Sequence, residues 1–196
     1  IKVNQVKKYD ATIILHGNNY DEAQDKALEI AEKENRVLIH PYNDPYVIAG
    51  QGTIGLEIIK QINDMNIDSI FCCVGGGGLI SGVGIYIKSI RPDIKIIGVE
   101  AEDSPSMTYS LEQNKIVELT NVGTFADGAA VKKVGNETFR IARDVVDDMV
   151  LVSNNEIASS INQFYMDTRT IIEPAGALSL AGYQKYKKLN NIKNKN

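Results

Sequence analysis

The sequence predicts an α/β fold with an open, mostly parallel sheet and helices on both of its faces. Short apolar runs alternate with amphipathic segments along most of the 196 residues, which is the order that βαβ units produce. Apolar residues make up 43% and charged residues 23% of the chain, as in a folded globular domain rather than a disordered one. Four consecutive glycines follow the apolar run at residues 69–74, at the strand end where such sheets bind ligands.

The predicted elements follow from hydrophobic periodicity and from Gly and Pro signals. Strands are expected at residues 12–15, 37–40, 69–74, 95–100 and 149–152. Helices are expected at residues 21–34, 46–65, 79–90, near 109–113, at 135–147, from 153 to about 168, and from 174 toward 188. Ser153 and Glu156 have the spacing of a capping box, and Pro174 suits the first turn of the last helix. Pro41 and Pro45 interrupt regular structure and predict a domain crossing.

Composition excludes several classes of function. The net charge of −4 is unsuited to general binding of nucleic acid or of anionic membranes. No apolar run approaches the ~18 residues of a membrane span, and the first ten residues lack the apolar centre of a signal peptide. The adjacent Cys72 and Cys73 should face opposite sides of a strand, and no cysteine or histidine has zinc-ligand spacing. A reducing, cytoplasmic location is therefore predicted.

The four glycines predict a site for an anion. Between a strand and a helix, consecutive glycines can turn several backbone N–H groups inward, and the helix that follows adds unpaired donors and a favourable dipole. The absence of side chains would let a phosphate approach the main chain itself. A phosphate-bearing small molecule is therefore the expected ligand.

The glycines have three alternative interpretations. A P-loop fails because no lysine follows the glycines. The dinucleotide fingerprint would need a third glycine where Ile80 or Ser81 stands, although Glu100 imitates its ribose-binding acid. Close packing of the strand on the helix would account for one or two glycines, so four in succession favour an anion site.

Five segments resemble a known enzyme family. VGGGGLISGV resembles the tetraglycine phosphate loop of the pyridoxal-phosphate enzymes of fold type II, which are similar in fold to tryptophan synthase β and include threonine and serine dehydratases and serine racemase. HPYNDPYVIAGQGTIGLEI looks like the segment that leads out of the small domain in that family. GVEAEDSPSM, GTFADGAAVKKVGNETF and EPAGALSLAG resemble more specifically biosynthetic threonine dehydratase.

The resemblance implies a set of cofactor-binding residues. The backbone amides of Gly75, Gly76, Gly77, Gly78 and Leu79 would hold the phosphate of pyridoxal 5'-phosphate. By the same resemblance, Gly128 would lie near the cofactor ring and Glu173 would line the active site. Asp127 and Glu173 also have structural interpretations, as a turn-stabilising carboxylate and as an acid at a helix N-terminus.

The resemblance also implies an incomplete catalytic domain. Residues 1–42 would be the C-terminal part of the small domain, and residues 43–196 would be most of the large cofactor-binding domain. The Schiff-base lysine of the family lies upstream of the glycine loop, and no lysine here has a matching context. No catalytic residue is therefore assigned, and the chain alone is expected to be inactive. The complete protein would convert L-threonine to 2-oxobutanoate and ammonia, as a dimer or tetramer.

A metal site is not predicted. Some relatives hold a cation between two acidic residues; Glu100 matches the first position, but Ser106 stands at the second. Glu100 is interpreted instead as a strand-end carboxylate that orders the following loop. His16 and His40 lack partners at ligand spacing and are interpreted as surface or capping residues.

Two rival functions remain. The same loop and cofactor would serve serine racemase or a catabolic serine/threonine dehydratase. A module that binds a phosphate ligand without catalysing a reaction would also keep the loop.

Overall fold

The computed structural model describes residues 1–17, 20–62 and 66–190. Its chain divides into two compact units, Ile1–Ile39 and His40–Asn196. The strands of the described residues all lie in the second unit.

The first unit is helical where it has regular structure. Its elements are α1 (Lys2–Val6), a short 3₁₀ helix (Lys7–Tyr9) and α2 (Tyr20–Lys33). The second helix confirms the one predicted at residues 21–34. Its cause is the amphipathic run DEAQDKALEIAEK, which contains no Gly or Pro.

The two strands predicted in the first 40 residues are wrong. Residues 12–15 and 37–40 lie outside every strand. Ile14 is 56% exposed and Val37 85% exposed. An apolar run forms a strand only when a neighbouring segment completes its hydrogen-bond ladder, and no part of the described chain does so for these two runs.

The second unit contains the sheet. Its strands are β1 (Ser69–Cys73), β2 (Lys95–Ala101) and β3 (Asp148–Val152). Its helices are α3 (Pro45–Ile62), α4 (Gly78–Ile90), α5 (Ser106–Glu112), α6 (Asn136–Val145), α7 (Asn154–Thr168) and α8 (Pro174–Leu189), with a 3₁₀ turn at Asp127–Ala129. The later predicted strands and helices are confirmed within a few residues, except that residues 63–65, at the end of the third predicted helix segment, lie outside the described residues.

The three strands are parallel in the order β1-β2-β3. Cys73 pairs with Val99, and Ala101 pairs with Val152. Alternate residues of β2 enter opposite cores, as the two-residue period of a strand requires: Ile97 packs in the core that α7 and α8 cover, and Ile96 packs in the core that α4 and α6 cover. The predicted parallel sheet with helices on both faces is therefore confirmed.

The two cysteines also obey this period. Cys72 lies in the core beneath α4, whereas Cys73 packs against the opposite core, and neither forms a disulfide. In the part of the chain that the structure describes, no helix combines the length and apolar character of a membrane span.

Candidate active site at the carboxyl end of β1

The four glycines connect β1 to α4 at the carboxyl end of the sheet. The ladder to β2 continues one residue past β1, because the Val74 amide donates to the Val99 carbonyl at 2.9 Å. Gly77 is the N-cap of α4 and has a φ of 94°. This left-handed conformation is strained for any residue with a Cβ, so the backbone itself requires glycine at position 77.

Close packing accounts for the missing side chains of all four glycines. A Cβ on Gly75 would lie 3.0 Å from the Ala129 Cα, and one on Gly78 would lie 3.0 Å from the Tyr42 Cβ. A Cβ on Gly76 would overlap the Tyr42 ring. Packing against neighbouring protein atoms is therefore one reason for glycine at these positions. That the bare main chain also lets a phosphate approach stays a prediction.

Two other strand-to-helix junctions show how this sheet usually treats the first amides of a helix. After β3, the Ser153 Oγ accepts from the Glu156 amide at 3.3 Å, and the Glu156 carboxylate accepts from the Ser153 amide at 2.7 Å. This confirms the predicted capping box. After β2, the Met107 and Thr108 amides of α5 donate to the Glu100 carboxylate, each at 2.8 Å.

The junction after β1 differs from these two. Within residues 1–17, 20–62 and 66–190, no acceptor receives the amide protons of residues 75–79. The first amide of α4 with a backbone partner is that of Ser81, which donates to the Gly77 carbonyl at 3.0 Å. Five successive N–H groups at the N-terminus of a 13-residue helix form the donor set that phosphate takes in proteins.

The other two predicted site residues lie together beside this loop. Gly128 lies in the 3₁₀ turn Asp127–Ala129, and the last residue of that turn, Ala129, packs on Gly75. A Cβ on Gly128 would lie 3.3 Å from the Glu173 Oε1. Glu173 is the N-cap of α8 but makes no side-chain cap hydrogen bond there. All the residues predicted to bind the cofactor therefore cluster at one end of β1.

Cys73 also belongs to this cluster. Burial raises the pKa of the Cys73 thiol, and the negative charge of Glu173 raises it further, whereas a hydrogen bond with Ser179 opposes the shift. A raised pKa keeps the thiol protonated at neutral pH, and the protonated thiol is a poor nucleophile. Cys73 is therefore a packing residue at the edge of the site.

Glu100 orders the loop after β2, as predicted. Its side chain is fully buried and accepts from the Met107 amide, the Thr108 amide and the Thr108 hydroxyl, the last at 2.6 Å. Burial raises the pKa of Glu100 to about 7, and the three donors oppose that shift. Among the residues described, no three His, Cys, Asp or Glu side chains are grouped so that they could hold a metal ion.

Sequence reasoning assigned no role to Tyr42 and Thr138, which contact the glycine loop, or to Asn43, which caps the helix that carries Thr138. Tyr42 covers Gly76 and Gly78. Thr138 donates its hydroxyl to the Gly76 carbonyl at 2.7 Å. Asn43 accepts the Glu137 amide at 2.9 Å. All three lie in segments that resemble the family, but a resemblance does not reveal which carbonyl a hydroxyl contacts.

Comparisons with known proteins follow the same lines. The profile of the family described as pyridoxal-phosphate dependent enzyme matches residues 1–196. The chain belongs to this family. Its predicted resemblance and fold class are thereby confirmed.

Relatives within the pyridoxal-phosphate family cover the whole chain. Mitochondrial threonine dehydratase of Schizosaccharomyces pombe is 48% identical over 100% of this chain and 33% of that protein. The biosynthetic L-threonine dehydratase of Haemophilus influenzae is 45% identical over 100% of the chain and 38% of its own length. The chain thus spans about a third of the curated relatives that it matches.

Solved structures of the family have the same fold. The processed form of threonine deaminase isoform 2 from Solanum lycopersicum has a TM-score of 0.94 and 46% identity, covering 100% of this chain and 53% of that one. Maize serine racemase has a TM-score of 0.89 and 34% identity, covering 96% of this chain and 59% of that one.

The residues present fit the phosphate of the family's cofactor. A phosphate accepts several N–H hydrogen bonds at once, and the amides of residues 75–79 are unpaired within the described chain, whereas the junctions after β2 and β3 are capped. Gly128 and the Glu173 carboxylate lie beside the same loop, close to the amides of residues 75–79.

Proposed function

We propose that this chain forms the phosphate-binding part of a pyridoxal-phosphate-dependent threonine dehydratase. The observation that carries the proposal is the contrast between the unpaired amides after β1 and the capped helices after β2 and β3, within the residues that the structure describes. The choice of substrate is supported by the threonine dehydratases that are 45–48% identical over the whole chain.

Each site residue has a proposed role. The amides of Gly75, Gly76, Gly77, Gly78 and Leu79 bind the phosphate, and the dipole of α4 favours its negative charge. Gly128 lies near the cofactor ring, and a side chain there would crowd Ala175 and Glu173. The Glu173 carboxylate lines the same side of the site.

The proposed reaction removes the α proton and the β hydroxyl of L-threonine and then hydrolyses the product to 2-oxobutanoate and ammonia. When bound, pyridoxal phosphate supplies the electron sink for the charge that develops at Cα. The residues of this chain bind its anionic end and orient it. Because the chain spans about a third of its relatives, the complete protein is the proposed catalyst.

The same proposal covers domain organisation and assembly. Residues 1–42 form the C-terminal part of a small domain, and residues 43–196 form most of the large cofactor-binding domain; the compact unit that begins at His40 supports this division. The complete protein is a dimer or tetramer. The two unbridged cysteines favour a reducing compartment, of which the cytoplasm is our choice.

Binding of the cofactor tests the site directly. Titration of the chain with pyridoxal 5'-phosphate, followed by ³¹P NMR, should saturate, and inorganic phosphate should compete with it. Pyridoxal without the phosphate should not compete, because the donors of residues 75–79 recognise the anion. Binding that does not saturate, or equal competition by pyridoxal, would contradict the proposal.

A serine racemase is the second candidate, since the maize enzyme has a TM-score of 0.89 to this chain. Products of the complete, cofactor-loaded protein distinguish the two functions. We expect 2-oxobutanoate from L-threonine as the main product. D-serine from L-serine as the main product would reject the threonine assignment.

A further inference from the structure

The Gly76 carbonyl of the glycine loop accepts hydrogen bonds from outside the loop, from the Thr138 hydroxyl and from the Gly135 amide. The Thr138 hydroxyl donates to the Gly76 carbonyl at 2.7 Å, and the Thr138 side chain is fully buried. In a trans peptide the C=O of one residue and the N–H of the next point in opposite directions. Holding the Gly76 carbonyl toward Thr138 therefore aims the Gly77 N–H away from α6.

Thr138 is held in turn by the start of α6. It lies in the first turn of that helix, and the preceding residue, Glu137, donates its amide to the Asn43 Oδ1 at 2.9 Å. The Asn43 side chain also fills the space that a Cβ on Gly135 would occupy. Asn43 thus supplies the cap that α6 lacks from its own N-cap residue, Gly135.

Asn43 is held by a histidine three residues earlier. The His40 Nδ1 accepts the Asn43 amide at 2.9 Å and the Tyr42 amide at 3.3 Å. The same turn places the Tyr42 ring on Gly76, with the Tyr42 hydroxyl donating to the Lys133 carbonyl at 3.2 Å. An imidazole accepts at Nδ1 only when that nitrogen carries no proton.

We propose that His40, Asn43 and Thr138 form a hydrogen-bond relay that positions the amides of the glycine loop for an anion, with His40 accepting at Nδ1. We name these three residues the His40 relay. None of them contacts the anion in this proposal, so they are positioning residues. The proposal rests on the proposed function, because it assigns the relay to the same phosphate site.

Thr138 allows the sharpest test. Thr138→Val removes the hydroxyl with almost no change of shape, and Thr138→Ser keeps the hydroxyl. In the full chain, the valine variant should bind inorganic phosphate and pyridoxal 5'-phosphate roughly tenfold more weakly, the effect of one lost hydrogen bond. The serine variant should stay within about threefold of the wild type. Equal losses in both variants would overturn the relay.

His40 allows a second test by substitution of the acceptor. The Oδ1 of asparagine occupies nearly the position of the histidine Nδ1, so His40→Asn should keep phosphate affinity, whereas His40→Leu should weaken it. His16, the only other histidine, supplies the matched control, and His16→Leu should leave phosphate affinity unchanged. Weakening by His40→Asn equal to that by His40→Leu would contradict the assigned role of Nδ1.

A spectroscopic measurement tests the His40 relay without depending on phosphate binding. The ¹H–¹⁵N resonance of Gly77 reports the orientation of its peptide without any ligand. It should shift in Thr138→Val and stay near its wild-type position in Thr138→Ser. If the wild type binds no phosphate, the proposed function fails, and this resonance still decides the relay: an unchanged Gly77 signal in Thr138→Val would overturn it.

Discussion

The junctions that connect the two outer strands, β1 and β3, to the helices after them differ in how the helix N-terminus is capped. After β3, the chain caps its own helix, because Ser153 and Glu156 satisfy each other's backbone amides. After β1, the chain supplies a glycine N-cap with a φ of 94° and no capping side chain. The first junction is a complete local structure. The second packs against Tyr42 and Thr138, and within the described part of the chain the amides of residues 75–79 have no acceptor.

Under the proposed function, the same sheet has helix N-termini that stabilise the fold and one that binds a ligand. A helix N-terminus that is capped by neighbouring side chains stabilises the fold, because its first amides have acceptors within the protein. A helix N-terminus that is left uncapped keeps about half a positive charge for an anion. Its backbone must then be fixed by packing, which explains why Tyr42, Met107, Ala129 and Thr138, from four segments of the fold, enclose the loop.

Gly77→Ala should break the uncapped junction with the largest effect. The substitution places a Cβ in a left-handed backbone and within 2.6 Å of the Met107 Cε. Strain and overpacking together should lower the free energy of unfolding by about 2–4 kcal/mol and abolish phosphate binding. Urea denaturation measures the first effect, and ³¹P titration measures the second.

Gly50→Ala is the matched control for this prediction. Gly50 lies within α3 with nothing within 4 Å of its added Cβ. Alanine there should raise the free energy of unfolding by about 0.5–1 kcal/mol. A Gly77→Ala protein as stable as Gly50→Ala would show that the loop tolerates side chains.

Glu100→Gln tests the middle junction. The Glu100 side chain accepts from three donors. The hydroxyl oxygen of a protonated carboxyl can still accept a hydrogen bond, whereas the NH₂ of glutamine cannot, so glutamine leaves at least one of these donors without an acceptor. We expect a loss of about 1–3 kcal/mol in the free energy of unfolding at low pH, where the wild-type carboxyl is protonated. A neutral change there would contradict the assigned hydrogen bonds.

The pH dependence of Glu100 sharpens this comparison. Its pKa rises from an ordinary value of 4.5 to about 7 on folding, because burial disfavours the charge. The native state therefore holds the Glu100 proton more tightly than the unfolded state does. The resulting contribution of Glu100 to the free energy of unfolding is complete below pH 4.5 and declines as the pH rises toward 7, by up to about 3 kcal/mol. The stability difference between wild type and Glu100→Gln should shrink or reverse over this range; a difference independent of pH would contradict it.

Local signals in the sequence were sufficient to predict the strands of the second unit. Glycine and proline positions, the β period and the Ser153 capping box placed every strand of the sheet within two residues. They failed at residues 12–15 and 37–40, because an apolar run does not carry the identity of its partner strand. The four glycines pointed to the strand end with the unpaired amides, but the packing that also favours glycine there involves Tyr42, Ala129 and Thr138, which are distant in sequence.

Ser153→Ala should have a smaller effect, confined to the capped junction. It removes the side-chain acceptor of the Glu156 amide and should lower the free energy of unfolding by about 1 kcal/mol. Phosphate affinity should not change, because this cap belongs to a different helix. A thermal unfolding scan combined with phosphate titration checks both parts. Weakened phosphate binding would show that the two junctions are coupled.

His40 gives the smallest expected effect. Burial lowers the pKa of His40 below its ordinary value of 6.5, and the charge of Asp44 opposes that shift. The folded state thus binds the His40 proton less tightly than the unfolded state does. The contribution of neutral His40 to the free energy of unfolding is therefore complete above pH 6.5 and falls as the pH drops through the lowered pKa. The slope cannot exceed about 1.4 kcal/mol per pH unit, the value for one proton. His40→Asn should remove this dependence and keep the Nδ1-like acceptor, while His16→Asn should leave it in place. Since protonation at Nδ1 would release the Asn43 amide, the same low-pH range should shift the Gly77 resonance in the wild type but not in His40→Asn.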